Sequence, residues 1–416
     1  MRVLLINPNR YQSPPVPPIG LEYVAASLEE RGHTVSILDL CFSDSAPKAL
    51  DEAVKILNPD ITGLTVRNVD SALFHTNEFF LDGIRDIIAH IKAVHGLKTL
   101  IGGAGIMANP EGILSYLDAD FAVAGPGEDT VHDILGSLER HDEKKIYYGR
   151  YREGRSFPGR SFLIDYREYV NNGGIAGFET HKGCSSSCPY CLEANSRVSF
   201  KNPADVVEEI RSFVGRGFSH FHLCDSEFNE CLEYSTDFCS ALKKESLGIK
   251  WAAYMKPTNF SKKLFQLMKE TGVYLITLSV DSWKKCDLYW ADIQKFIFGA
   301  RSSGIKVAVD FLTGFPHETV ADVRQCLDTL RRPMPDSIGV NTYIRLFKGM
   351  PITRMIVKDA DLSSRLIGNT DDPTFVKPVF YNHIDTDMLL HIIDGDSTIR
   401  IEGPEKRVNY SRIDGP

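Results

Sequence analysis

Along the first third of the chain, short apolar runs alternate with stripes of apolar residues at helical spacing. Residues 3–6 form an apolar run of strand length, and residues 21–31 repeat apolar side chains on one face until Gly32, a residue suited to close a helix. Residues 33–38 predict a second strand, 49–57 a helix, 60–66 a strand and 81–95 a long amphipathic helix. Residues 99–102 predict a strand running into Gly102-Gly103-Ala104-Gly105, and 121–124 another running into Gly125-Pro126-Gly127-Glu128. Strands separated by helices in this way predict an α/β domain over residues 1–140, with a doubly wound, parallel, Rossmann-like sheet.

Residues 141–176 are mixed and charged. Arg150, Arg152 and Arg155 lie close together before Pro158-Gly159, and the segment reads as a linker with a solvated basic face. A second alternation follows over 177–345. Strands are predicted at 177–181, 220–224, 251–254, 274–280, 306–312 and 337–342, and helices at 203–215, 234–244, 261–271, 290–303 and 320–331. Six strands with crossovers predict a partial (β/α)6 barrel, whose functional residues belong at the carboxyl ends of its strands. Residues 346–416 are less regular and predict a short cap, with a helix at 388–393 and a polar, loop-rich tail from Asp394.

Composition narrows the function. With 43% hydrophobic and 25% charged residues, the 416-residue chain has an ordinary globular balance and the length of two or three domains. Its 47 basic and 55 acidic residues leave a net charge of −8, a poor balance for general nucleic-acid binding. No apolar stretch approaches the ~18 residues that a membrane-spanning helix needs. The short apolar start stops at Asn7-Pro8 and does not read as a secretion signal. Nine cysteines is an odd number, and three of them fall within eight residues. That pattern suits a reducing cytoplasm and one metal site better than a disulfide framework.

The three are in Gly183-Cys184-Ser185-Ser186-Ser187-Cys188-Pro189-Tyr190-Cys191, a Cys-x3-Cys-x2-Cys spacing just past the first strand of the predicted barrel. Thiolates are soft ligands that suit iron–sulfur clusters or zinc. Three cysteines in one loop can ligate three irons of a cubane and leave the fourth iron open. Zinc is the alternative; a closed zinc site wants four ligands, with His181 or a remote cysteine as the fourth, and no second cysteine pair is present.

This motif, its place after the first strand and the six-unit barrel resemble the radical S-adenosylmethionine superfamily. The resemblance implies a [4Fe–4S] cluster on Cys184, Cys188 and Cys191. It implies an open iron that chelates the amino and carboxylate groups of S-adenosylmethionine, and electron transfer that cleaves this cofactor to a 5′-deoxyadenosyl radical. An electron donor such as a flavodoxin or ferredoxin is implied as a partner. Tyr190 would pack near the adenine, and Glu227, in Asp225-Ser226-Glu227-Phe228-Asn229, would face the cofactor. Ser279 and Asp281 would bind its ribose or methionine end, unless they merely start a turn. Gly314-Phe315-Pro316-His317-Glu318-Thr319 resembles the loop that flanks the adenosyl group, with Gly314 and Pro316 as its marks. Arg345-Leu346-Phe347-Lys348-Gly349-Met350-Pro351 resembles a recurring closing motif of barrel-type members.

The first domain resembles that of the cobalamin-binding members, in their class B methyltransferase branch. Asn7-Pro8-Asn9 and Pro17-Pro18-Ile19-Gly20-Leu21-Glu22-Tyr23-Val24-Ala25 carry the resemblance. It places Asn7, Pro8, Gly20, Leu21, Thr65, Arg67, Asn68, Gly102, Gly103, Gly125, Gly127 and Glu128 at the cobalamin. Ligands of open α/β sheets lie beyond the carboxyl ends of the strands, and glycine lets backbone approach a large corrin. The Asp-x-His-x-x-Gly motif that supplies a histidine to cobalt is absent, and His75 lacks its context, so cobalt without that histidine is expected. Gly102-Gly103-Ala104-Gly105 is not the nicotinamide fingerprint. Only Cys41 lies in this region, which argues against a methylthiotransferase with a second cluster. The alternative is a degenerate domain that binds no corrin.

The implied function is a cobalamin-dependent radical S-adenosylmethionine methyltransferase. One S-adenosylmethionine would methylate the corrin, a second would yield the radical that abstracts hydrogen from an unactivated carbon, and the methyl group would pass to that carbon. Ring formation or oxidation with the same cofactors is the alternative, whereas a corrinoid carrier or sensor would not need the cysteine motif. The short C-terminal region favours a peptide or protein residue as substrate, as in glutamine C-methylation, or a small polar molecule. Tyr254, Tyr343, Tyr381, Asn382 and His383 are candidates to line the substrate site, each with a structural role as its alternative.

Overall fold

In the computed structural model, which describes residues 1–139, 144–150, 159–283, 286–393 and 396–401, the apolar run at the start of the chain becomes β1 (Arg2–Asn7), buried from Val3 onward. There follow α1 (Ile19–Glu29), β2 (Thr34–Asp39), α2 (Ala46–Leu57), β3 (Ile61–Thr65), α3 (Leu81–His90), β4 (Thr99–Gly102), α4 (Pro110–Leu117), β5 (Phe121–Ala124), α5 (Thr130–Glu139), β6 (Ile146–Tyr148) and α6 (Tyr166–Asn171). All neighbours in the sheet pair in parallel, in the order β2-β1-β3-β4-β5-β6. The strand order reverses direction between β1 and β3, the switch point at which open α/β sheets take ligands. Val3, Leu5, Leu21, Ala25, Leu28 and Ile134 belong to the core that holds α1 and α5 to this sheet.

These elements form one unit, Met1–Ala72 with Asn77–Ala176 and Asp371–Pro378; a second unit comprises Leu73–Thr76, Gly177–Thr370 and Val379–Pro416. The second begins with β7 (Ala176–Phe178), β8 (His181–Lys182), β9 (Ser199–Phe200), α7 (Pro203–Gly215), β10 (His220–Leu223), α8 (Leu232–Glu245) and β11 (Lys250–Met255). It continues with α9 (Lys262–Glu270), β12 (Val273–Asp281), α10 (Asp287–Ser302), β13 (Lys306–Leu312), α11 (Val320–Arg331) and β14 (Ser337–Asn341). Then come β15 (Ile344–Arg345), α12 (Pro351–Lys358), α13 (Ala360–Ser363), β16 (Leu366–Gly368), β17 (Val379–Tyr381), α14 (Thr386–Ile393) and β18 (Ile399–Ile401). The main sheet has the order β18-β14-β13-β12-β11-β10-β7. Its six predicted strands therefore stand side by side in chain order, as repeated βα units dictate.

Three features depart from the sequence expectations. The long helix predicted at 81–95 is α-helical only to His90; Ile91–His95 is a π turn closed by Gly96 at φ +63°. The tail from Asp394, read as loop, contains β18, which pairs in parallel with β14 through Ile338, Gly339 and Val340. A three-residue strand is too short to show a period. The irregular reading of 346–416 also missed the antiparallel sheet β15-β17-β16. Within 141–176, described in part, β6 extends the first sheet and α6 packs in the same unit. Arg152 and Arg155 lie outside the described residues.

Candidate active site

The cysteine loop is built by local backbone chemistry. β8 and β9 pair antiparallel, His181 opposite Phe200 and Lys182 opposite Ser199, so residues 183–198 leave and return at one point. Gly183 opens the loop at φ +87°, where an added Cβ would collide with the Arg197 carbonyl. Only glycine meets both demands there. Cys184 N–H donates to Ser196 Oγ at 2.8 Å, and Ser196 N–H returns a bond to the Cys184 carbonyl at 3.0 Å. Ser185 Oγ donates to Glu230 Oε2 at 2.6 Å, and Lys256 Nζ lies 2.8 Å from Glu230 Oε1. Asp225 accepts from Thr180 N–H at 2.8 Å and lies 3.1 Å from His181 Nδ1, fixing the strand that enters the loop.

Cys184 is buried, Cys188 and Cys191 are half-buried, and all three are free thiols. Burial pushes the Cys184 thiol up to about 11, against hydrogen bonds from Ser186, and raises Cys191 as well. A metal that binds here must therefore displace protons. A single tetrahedral zinc, with Zn–S near ~2.3 Å, needs its sulfurs only ~3.8 Å apart. Among the described residues, the one group whose three ligand atoms gather within 4.8 Å is Asp51, His90 and His95, not the three thiols. Three free thiols in one loop fit a cluster in which each thiolate takes a separate iron.

Registers define what this loop stands beside. Phe221 opposite Trp251, then Ile276 and Val307, then Val309 and Ile338, share one face of the main sheet and are fully buried. Phe238 of α8 packs against Trp251 at 6.1 Å, which identifies this face as the helix-covered one. The opposite face carries His222 on β10, Tyr254 on β11, Thr277, Ser279 and Asp281 on β12, Asp310 on β13 and Asn341 on β14. Polar side chains thus fill the carboxyl half of the sheet on the side away from α8. Tyr254 Oη donates to Asp310 Oδ2 at 3.1 Å. Tyr190 Oη donates to Asp281 Oδ2 at 3.1 Å and its ring lies 5.6 Å from Phe315, so the last turn of the cysteine loop rests on β12 and on the loop after β13.

That second loop is held by Glu318. Its Oε2 accepts from Thr313 Oγ1 at 2.8 Å, Gly314 N–H at 2.6 Å and Phe315 N–H at 3.1 Å. Gly314 has φ +91° and sits against the Thr342 carbonyl with no room for a Cβ; Pro316 is in the same turn. Glu227 follows β10 and is half-buried. Of the substrate candidates, Tyr254 is on the polar face, whereas the Tyr343 ring is stacked on Phe74 at 3.8 Å. Tyr381 Oη meets His383 Nδ1 at 2.8 Å, and Asn382 Nδ2 donates to the Ile384 carbonyl at 2.9 Å. His222, Asp310 and Asn341 were missed in the sequence. For Asp310 the one signal was a charge inside the otherwise apolar run Val307-Ala308-Val309-Asp310-Phe311, whose face the strand registers settle.

In the first unit, the parallel sheet brings the predicted cobalamin residues to one edge, the carboxyl ends of β1, β3, β4 and β5. Pro8 is buried there, Arg67 and Asn68 are exposed, and a Cβ on Gly20 would meet nothing within 4 Å. Gly103, at φ +103°, lies so close to β3 that a Cβ would be 2.6 Å from the Val66 carbonyl. Gly102, Thr65, Gly125 and Gly127 are half-buried on the same edge. Glu128 Oε2 is buried without a hydrogen-bond partner among the described residues. A ledge of glycines, exposed polar groups and one orphaned carboxylate oxygen fits a large polar ligand such as a corrin. Two of the named residues are committed elsewhere. Leu21 is in the core, and Asn7 donates to Asp39 Oδ1 at 2.8 Å and to Tyr169 Oη at 3.2 Å. Glu22 of the same stretch is fully buried and paired with Arg160 at 2.9 Å.

Comparison with known proteins gives both halves a family. Residues 13–135 match the B12 binding domain and residues 178–330 the radical SAM superfamily. The tryptophan 2-C-methyltransferase of Streptomyces laurentii is 21% identical, covering 86% of this chain and 75% of that one. The structure of the radical S-adenosylmethionine methyltransferase TsrM of Kitasatospora setae, with cobalamin and a [4Fe–4S] cluster bound, has a TM-score of 0.83 at 22% identity, covering 98% of this chain and 93% of that one. The cobalamin-dependent S-adenosylmethionine radical enzyme OxsB has a TM-score of 0.76 at 16% identity, covering 94% and 65%. No helix among the described residues is long and apolar enough to cross a membrane. With a B12-binding domain ahead of a radical SAM domain and the three-cysteine loop at the head of the latter, the chain combines the two domains of the cobalamin-binding radical S-adenosylmethionine enzymes.

Proposed function

We propose that this enzyme transfers a methyl group from S-adenosylmethionine, by way of cobalamin, to a carbon atom of an amino-acid side chain, free or within a peptide. The observation that carries this reading is the polar face of the second unit, where Tyr254, Ser279 and Asp310 share a face with Asp281, the carboxylate that meets Tyr190 of the cysteine loop, and suit a small polar substrate. The likeness to a tryptophan C-methyltransferase over most of both chains supports it. Bound, the cluster supplies the electron that cleaves S-adenosylmethionine and the corrin carries the methyl group; a flavodoxin or ferredoxin is the reductant proposed.

The chain's own residues position these groups. Cys184, Cys188 and Cys191 hold the cluster. Tyr190, Glu227, Ser279, Asp281, Gly314 and Pro316 surround S-adenosylmethionine, and the glycine-rich edge of the first sheet receives cobalamin. Asp310 orients the Tyr254 hydroxyl, so its carboxylate keeps that phenol proton directed along the sheet. Anaerobic incubation with methyl-labelled S-adenosylmethionine and a set of amino acids and peptides tests the function. Label on carbon supports it. 5′-Deoxyadenosine with an unlabelled, cyclised or oxidised product replaces it with the ring-forming or oxidative alternative.

Two substitutions probe the positioning. Gly314→Ala forces a Cβ into the Thr342 carbonyl and strains a left-handed backbone. It is expected to weaken S-adenosylmethionine binding about tenfold or more by equilibrium dialysis, the scale of a ~1.4 kcal/mol loss, while iron content stays unchanged. Glu230→Gln removes the charge that Lys256 and Ser185 hold. Although burial raises this carboxyl, Lys256 and Ser185 keep it below the ordinary carboxylate range. The anchor therefore persists at neutral pH and is lost only as pH falls through that lowered value. Loss of a charged hydrogen bond worth about 1.5–3 kcal/mol predicts iron release to a chelator about tenfold faster or more.

A further inference from the structure

Two histidines and a carboxylate converge in the first unit where the sequence predicted only an uninterrupted helix. In an α-helix, residues five apart point roughly 140° away from each other. The π turn at Ile91–His95 changes this, because its bonds run between residues five apart and stack them. It brings the His95 ring within 5.8 Å of the His90 ring. Both then meet one atom of α2: His90 Nε2 lies 2.7 Å and His95 Nε2 2.8 Å from Asp51 Oδ1. α3 and its π turn end just before β4 begins, so the group sits at the amino-terminal edge of the sheet, opposite the glycine-rich edge.

We propose that Asp51, His90 and His95 bind one zinc ion that fastens α2 to the end of α3. The three ligand atoms already lie within 4.8 Å of one another. Tetrahedral zinc, with bonds of about 2.0–2.2 Å, needs neighbouring ligands ~3.3 Å apart, so each contact opens by about half an ångström. The Asp51 side chain is 47% exposed, and can swing by that much without disturbing the core. His90 and His95 side chains are 25% and 15% exposed, which leaves a path from solvent and room for a water as fourth ligand. Two imidazoles and one carboxylate form a set that suits zinc and is poor for magnesium or calcium. Zinc binds the Nε2 lone pair of each neutral ring, whose single proton then sits on Nδ1.

The test uses the holoenzyme, with iron already on the cysteine loop, titrated with zinc against a chromophoric chelator. One zinc per chain is expected, weakened at least tenfold in His95→Ala and in Asp51→Asn, with iron and cobalamin contents unchanged. The remaining cysteines are intact in both variants, so zinc that survives the substitutions is held by thiols and overturns the proposal; so does a wild-type holoenzyme that takes none. X-ray absorption at the zinc edge of the wild type needs no variant. A nitrogen and oxygen shell with imidazole scattering is expected, and a sulfur shell overturns the assignment.

Discussion

Replacing Cys184, Cys188 and Cys191 together with alanine is expected to leave a folded protein that holds no iron and transfers no methyl group. Iron per chain falls from near four to background, the cluster's visible absorbance disappears, and no label leaves S-adenosylmethionine. The fold survives because the loop is closed by bonds that none of the three side chains makes: the β8–β9 pairing, the Ser196 bonds and the Glu230–Lys256 anchor. Cys188 and Cys191 are only half-buried, so their truncation removes little packing. Cobalamin content should not change, since the glycine-rich edge belongs to a different unit. The outcome that overturns the assignment is a wild-type protein that takes one zinc in place of iron after anaerobic reconstitution. Retention of full iron by the triple variant would overturn it equally.

Much of this arrangement was legible in the sequence because the decisive features are local. A Cys-x3-Cys-x2-Cys loop needs no tertiary information to be recognised as a soft-metal site, and glycines at strand ends mark an α/β ligand edge wherever they occur. The strand order followed from the βα repeat for the same reason. What stayed hidden depends on partners remote in sequence. Asp310 reads as an isolated charge inside an apolar strand until registers place it opposite Ser279 and bring Tyr254 Oη to it. β18 exists only because β14 offers an unpaired edge. The π turn at 91–95 is set by Gly96 and by Asp51, forty residues earlier, and not by helical periodicity, which runs smoothly through it. Tyr343 was a reasonable substrate candidate by its place after β14, but Phe74 stacks on its ring.

The stretch Gly20-Leu21-Glu22-Tyr23 carries two kinds of information, and Arg160→Ala should separate them. Glu22 and Arg160 side chains are both fully buried, 2.9 Å apart. Tyr166 Oη donates to Glu22 Oε2 at 2.6 Å, Ile164 N–H reaches Glu22 Oε1 at 3.3 Å, and the guanidinium lies over the Tyr23 and Tyr166 rings at 5.6 and 5.2 Å. Removing one partner leaves an uncompensated buried charge, which costs about 3–5 kcal/mol. Replacing both by apolar residues of similar volume, as in Glu22→Leu with Arg160→Met, is expected to recover most of that loss, because the desolvation of two ions disappears with their attraction. A chain of two units does not yield one unfolding free energy, so the measurement is amide exchange in α1, which reports opening of this region alone. Faster exchange in Arg160→Ala, restored in the double variant, marks Glu22 as the residue that pins α1 to 160–166. Gly20, two residues earlier and on the opposite side of α1 with open space above it, is then the member of the stretch left to meet cobalamin. Equal exchange in all three proteins would mean that the buried pair contributes nothing to α1, and that Glu22 must be explained from the cobalamin side instead.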